Sequence, residues 1–193
     1  MASLVVSGDT SGAITLSAPS VAGTNTLTIP ASTGTLITTA SSGQSIPKAA
    51  LPTGSVLQVI SAVMTGGIFS TSSGSFVDVG FSATITPTSA SSRILILFNS
   101  GGITRPAIAS ECLRLRIVRG ASTVVYGGDN LIFSTSATQF QDFPSSYQCF
   151  DSPATTSATT YKIQMETRLN NSCSMNGGAT NNPATLQLLE IAS

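Results

Sequence analysis

Histidine and tryptophan are missing from the 193 residues, and charge is scarce: eight basic and eight acidic side chains make up 8 % of the chain. Without histidine, the commonest general base and a common zinc ligand are both gone. A soluble domain ordinarily carries roughly 25 % charged residues, so this one meets water with hydroxyls and amides rather than with ion pairs. The charges cancel. With no basic excess to neutralise phosphates, the composition excludes nucleic acid as a partner. No polybasic or amphipathic helical stretch is present to hold a membrane surface, and no run approaches the ~18 apolar residues of a bilayer span, so no membrane insertion is expected. The start, MASLVVSGDTSG, has no basic segment followed by a long apolar one. The expectation is a chain made in the cytoplasm without a signal peptide. Its surface composition nevertheless suits an extracellular setting, and a particle released by lysis reconciles the two.

Cysteine is also sparse. Cys112, Cys149 and Cys173 allow at most one intrachain bridge, and their spacing fits no zinc knuckle. They read either as small buried apolar residues or as a Cys149–Cys173 bridge plus one thiol. The acids are scattered. Asp129, Asp142 and Asp151 make no calcium loop, and glycoside cleavage needs two carboxyl groups in one cleft. Gly-Gly pairs at 66–67, 101–102, 127–128 and 177–178 follow strands and open no helix, which removes phosphate cradling. The sequence therefore reads as a non-enzyme, with no catalytic residue, no metal and no cofactor.

What is present is strand. Hydrophobic residues make up 41 % of the chain, enough for a sizeable core. The stretch Ser55–Thr86 opens a series of β-runs: Val56–Met64, Phe76–Thr86, Arg93–Asn99, Cys112–Val118, Thr123–Tyr126, a weaker Asn130–Ser134, Tyr147–Phe150, Tyr161–Leu169 and Ala184–Ile191. Leu113, Leu115 and Ile117 alternate with Arg114 and Arg116, the period of a half-buried strand. RILILF (93–98) reads as a central strand with both faces covered. In Thr185–Ile191 both faces carry apolar residues, the mark of a subunit interface. Short strands at this spacing predict an all-β fold, a jelly-roll-like β-sandwich knob over 55–193.

Residues 1–40 differ. Ile14-Thr15-Leu16, Leu27-Thr28-Ile29 and Leu36-Ile37 recur between Gly, Pro, Ser and Asn. Too few apolar side chains are present for one copy to offset its ordering entropy. Yet the alternation is strand chemistry rather than linker chemistry. The expectation is an N-terminal attachment region and extended β-shaft shared by a homotrimer. A neck follows at 41–54, where Pro47 and Pro52 block regular pairing.

Antiparallel strands alternate their connections between two ends. The longer, irregular connections (65–74, 100–110, 126–148 and 170–183) fall at one end, and 86–92, 119–123 and 151–160 at the other. The long loops then point away from the shaft, where a contact surface belongs. Arg105, Tyr126, Asp129, Asn130 and Asn176 are the candidate binding residues at their tips, suited to a host surface glycan. Tyr126, Tyr147, Phe133, Phe140 and Phe143 have a second reading, as plugs of the sandwich end. Arg114, Arg116 and Arg119 form the one cationic cluster, to be neutralised by Glu111 and Glu166 or left to bind an anion.

These residues also carry a resemblance. GAITLSAPSVAGTNTLTIPASTGTLIT resembles a segment of tail-fibre and virion structural proteins of marine phages, cyanophages especially. ALPTGSVLQV, FSATITPTSASSRILIL, LRLRIVRGASTVVYGGDN, DSPATTSATTYKIQ and LQLLEIAS are similar to a globular domain of the same proteins. The resemblance implies a trimeric bacteriophage appendage located in the virion, docked to other virion proteins through its N-terminal region. It implies host attachment through receptor binding, or decoration of the capsid or tail without it. Polysaccharide depolymerisation is the remaining alternative. No family site residues transfer.

Overall fold

The computed structural model describes residues 3–7, 13–17, 51–64, 67–105, 107–133, 141–175 and 183–193. The chain divides into two units, Met1–Ser45 and Ile46–Ser193. In the first, β1 (Ser3–Ser7) pairs antiparallel with β2 (Ala13–Ser17). The Ile14-Thr15-Leu16 triplet is a strand, and its partner SLVVS is one that the recurrent triplets did not reveal. The triplets at 27–29 and 36–37, and residues 41–50 of the neck, lie outside the described residues. Val5 stands 53 % exposed, and an isolated two-stranded hairpin is marginal in water.

The second unit holds twelve strands in chain order: β3 (Val56–Met64), β4 (Phe69–Thr71), β5 (Val77–Ile85), β6 (Arg93–Asn99), β7 (Ile103–Arg105), β8 (Cys112–Arg119), β9 (Thr123–Phe133), β10 (Gln141–Phe143), β11 (Ser146–Asp151), β12 (Thr159–Thr167), β13 (Cys173–Met175) and β14 (Ala184–Ile191). No helix occurs among the described residues. The long strands form two four-stranded sheets, in the orders β11-β6-β14-β3 and β5-β12-β8-β9. Each strand in this series lies in the opposite sheet from the strand that precedes it, save β9, which follows β8 in the same sheet. With the first and last long strands paired, this is the strand order of an eight-stranded jelly roll.

Alternation explains the core. Ile94, Ile96, Phe98, Leu186 and Leu188 point inward from one sheet; Phe81, Ile85, Leu113, Leu115, Ile117, Tyr161, Ile163 and Met165 meet them from the other, all buried. Each such side chain removed from water contributes about 1.5–3 kcal/mol before ordering costs. The sandwich begins inside the expected neck: Gly54 N–H donates to the Ala192 carbonyl at 2.8 Å, and Ala192 N–H to the Ser55 carbonyl at 2.9 Å.

One expectation fails. YGGDN (126–130) is not a loop between two short strands but part of the continuous β9. Its pairing with β8 slips between Ile117 and Val118 and again between Leu113 and Leu115, so Asp129–Leu131 bulge opposite Arg114. The Gly-Gly-Asp-Asn signal marks bulges, which share turn chemistry.

Two buried glutamates fasten the ends. Glu111 accepts hydrogen bonds from the backbone N–H groups of Cys112 (3.0 Å), Arg168 (2.9 Å), Leu169 (3.1 Å) and Asn171 (3.1 Å), and from Asn171 Nδ2 at 2.8 Å. Glu190 accepts from Gln58 Nε2 at 2.6 Å and from the N–H and hydroxyl of Thr88, both at 2.7 Å. Burial pushes both carboxyls upward, but these donors outweigh it and hold each below the ordinary glutamate range. A depressed folded pKa adds stability above the unfolded value and loses it as pH falls through the folded one. Glu111→Gln is therefore expected to cost about 2–4 kcal/mol at neutral pH and to flatten the acid limb of stability below about pH 4.5. Urea melts at pH 7 and at pH 4 check this, and an unchanged acid limb would contradict it.

Candidate functional site

Each of the four long connections carries one three-residue strand, and the four join in a third sheet, β10-β7-β13-β4. Gln141, Asp142 and Phe143 pair with Arg105, Thr104 and Ile103. Thr104 and Ile103 pair with Ser174 and Met175, which in turn face Ser70 and Phe69. The long loops thus meet at one end, as their parity predicts, and they meet as a sheet.

The period of two sorts its residues. Ile103, Met175 and Cys173 are buried in the sandwich core, with Phe69 packed against them. The intervening register row reads Asp142, Thr104, Ser174, Ser70. The end sheet is a lid with an apolar underside. Glu111 fixes it from beside, since its partners at 168–171 lead into β13. Ser110 (φ 63°) and Asn170 (φ 59°) both take left-handed backbone to aim those amides. A β-carbon on Gly74 would lie 2.5 Å from Asn170 Oδ1, so any larger residue there would push the Asn170 side chain aside.

The described candidate binding residues are divided between two sheets. Arg105 ends β7 in the end sheet. Tyr126, Asp129 and Asn130 belong to β9 of the main sandwich, and Asn176 lies outside the described residues. Tyr126 is a correction. It is half-buried against the core, its ring 5.4 Å from Tyr147, whose ring stacks on Phe98 at 6.1 Å. Burial raises the Tyr147 pKa, helped by Tyr126. These rings plug the sandwich, the second of the two readings.

The cationic cluster is engaged. Arg114 pairs with Glu166 at 2.7 Å and Arg119 with Asp151 at 2.7 Å. Arg116 donates to Gln164 Oε1 at 2.7 Å and lies 4.0 Å above the Phe76 ring. Glu111, expected to help, is spent on backbone amides instead. Lys162 pairs with Asp78, which also accepts from Gln164, so the outer face of β5-β12-β8-β9 is a polar ladder.

The opposite outer face differs. Register places Phe150 beside Leu95, Leu95 beside Leu189, and Leu189 beside Val59. This apolar row crosses all four strands. Val59 is 55 % exposed, Val56, Val63 and Phe150 each 49 %. Arg93, the charged side chain here, stacks over Phe150 at 4.2 Å. RILILF is thus central in its sheet but open on one face. Toward the end sheet the row gives way to Gln148, Leu97 and Gln187, around a depression of about 310 Å³. Doubly apolar strands hinted at this face; which strands would adjoin lay beyond the sequence.

None of the three cysteines is in a disulfide, so the Cys149–Cys173 bridge is not made. Burial, with the charge of Asp151, pushes the Cys149 thiol up to about 11. No group of His, Cys, Asp and Glu suited to a metal ion occurs among the described residues, and no described helix is long and apolar enough to cross a membrane.

No protein-family model matches this chain, and no curated protein matches it in sequence. Among solved structures it is similar to the infectious bursal disease virus VP2 subviral particle, at 16 % identity and TM-score 0.41, covering 70 % of this chain and 37 % of that one. The Gt strain of the same virus gives 15 % identity and TM-score 0.39, covering 70 % and 38 %. The chain spans well under half the length of these structures.

Ile103→Ala is expected to cost about 2–4 kcal/mol, the range for a buried aliphatic truncation, while Ser174→Ala in the outward register row costs under ~0.5 kcal/mol; equal costs in urea melts would refute the sidedness. A thiol reagent at pH 8 is expected to leave all three cysteines essentially unmodified in the native protein and to modify all three in denaturant. A rapidly modified native thiol would contradict this.

Proposed function

We propose that this chain is a structural, non-enzymatic component of a virion, whose jelly roll packs among other copies and other virion proteins. The observation that supports this most directly is the unequal dress of the sandwich: one outer face a ladder of ion pairs, the other an open apolar row. A free-standing domain keeps such rows small. A surface of hydroxyls and amides, with 8 % charge, suits a particle protein that meets protein neighbours rather than phosphates.

Within that role the reading favoured here is decoration or cementing of the capsid or tail. Tyr126 and Tyr147 are half-buried and packed against the core, which argues against the aromatic platform expected for a sugar ring. The second reading is a trimeric tail fibre or appendage contacting the host. Two observations favour it: the exposed Val5 of the β1–β2 hairpin, which a bundle of copies would cover, and the end sheet that gathers the long loops.

Labelled antibody against the chain, imaged on purified particles, tests both. Label over the capsid or along the tail supports decoration. Label at a tail tip, together with inhibition of host adsorption by the purified protein, supports the appendage. Absence of the chain from purified particles by mass spectrometry would overturn the virion role itself.

A further inference from the structure

We infer that copies of this chain pack on one another through the outer face of β11-β6-β14-β3, centred on the row Phe150, Leu95, Leu189 and Val59. The inference deepens the structural role proposed above by naming the surface and its occupant.

Three observations point to a second copy. The first is the contrast of faces. On β5-β12-β8-β9, Asp78 and Lys162 sit in an ion pair at the surface and Arg114 reaches out from its pair with the buried Glu166; on the opposite sheet, Arg93 lies flat on Phe150. The charge complement of this face is therefore another nearly uncharged, apolar surface. This chain presents one such broad surface among its described residues, the face itself.

The second observation is continuity. Leu95 and Leu189 are flanked by Val59 on β3 and Phe150 on β11, so the row reaches both edges of the sheet without a charged break. Ile191 and Val56, paired beyond the row, extend it toward the end fastened by Glu190.

The third is size. Four strands ~4.8 Å apart, with about eight residues rising ~3.3 Å each, span a patch of roughly 19 by 26 Å. In projection this face is roughly 500 Å², with the polar Gln148, Gln187 and Ser61 included, the order of the ~800 Å² per partner of a standard stable interface. It is too large for an incidental exposed leucine and of the right order for a subunit contact.

Sedimentation velocity of the full chain over a concentration series tests this. The wild type is expected to be an oligomer at ~10 µM. Val59→Glu places a charge in the row and is expected to weaken association at least ~100-fold. Ser82→Glu, on the polar face, is expected to leave it unchanged. Val59→Thr keeps shape and strand propensity and is expected to weaken association about tenfold; it decides the matter should Val59→Glu fail to fold by circular dichroism. A wild type that stays monomeric at ~100 µM overturns the inference. So does a folded Val59→Glu chain, or a Val59→Thr chain, that associates like wild type. A chain that is monomeric in solution yet present in purified particles overturns this inference alone and leaves the virion role standing.

Discussion

The carboxylate of Glu111, out of reach of water, is the constraint on which the loop end of this protein depends. A bare charge in a protein interior costs several kcal/mol. Here five donors from Cys112, Arg168, Leu169 and Asn171 offset that cost. Those donors come from two connections far apart in sequence, so satisfying the charge fixes both. The unusual backbone of Ser110 and Asn170 is the local strain this requires. With the loops held, β7 and β13 can pair, and β4 and β10 add to their free edges. Glu190 does the same at the other end with Gln58 and Thr88. A chain with few charges has placed two of its acids where they order loops.

Five further charges gather on one outer face. Arg114, Arg116, Lys162, Asp78 and Glu166 line the outer face of β5-β12-β8-β9, where they pair or stack. Exposed pairs such as Lys162–Asp78 add little stability, ~0–1 kcal/mol each. Their effect is to keep that face solvated. The other sheet has no such cover, and its exposed valines and Phe150 form a row because register lines them up. One sandwich thus has a face built for water and a face built for protein.

Much of this was legible in the chain. The long strands showed their period of two, and the parity of the connections placed the long loops at one end before any pairing was known. Three-residue strands such as Phe69–Thr71 and Cys173–Met175 were not legible. Three residues are too short for periodicity, and their pairing partners lie in other loops. The Gly-Gly-Asp-Asn of β9 misled because bulges and turns need the same permissive residues. That error moved Tyr126, Asp129 and Asn130 out to a loop tip, although Tyr126 stacks inward against Tyr147. Sequence marks a residue as suited to a surface; which surface exists is settled by pairing between distant segments.

The edges of the sandwich point the same way as its apolar face. An exposed strand edge invites pairing, and proteins blunt it with charges, bulges or brevity. β9 is bulged twice against β8, and β5 slips register against β12 around Gly80, whose φ is 78°. β11 is six residues long. β3 has none of these protections along most of its length: it is nine residues, VLQVISAVM, without a charge, and its register with β14 is regular from Gln58 to Met64. Val59 and Val63 on this edge strand belong to the same apolar face as Leu189. With zero net charge, little long-range repulsion keeps two copies apart. Protection is thus spent on three edges and omitted on the fourth, beside the uncovered face, a distribution that suits a protein whose β3 side is occupied in its working state.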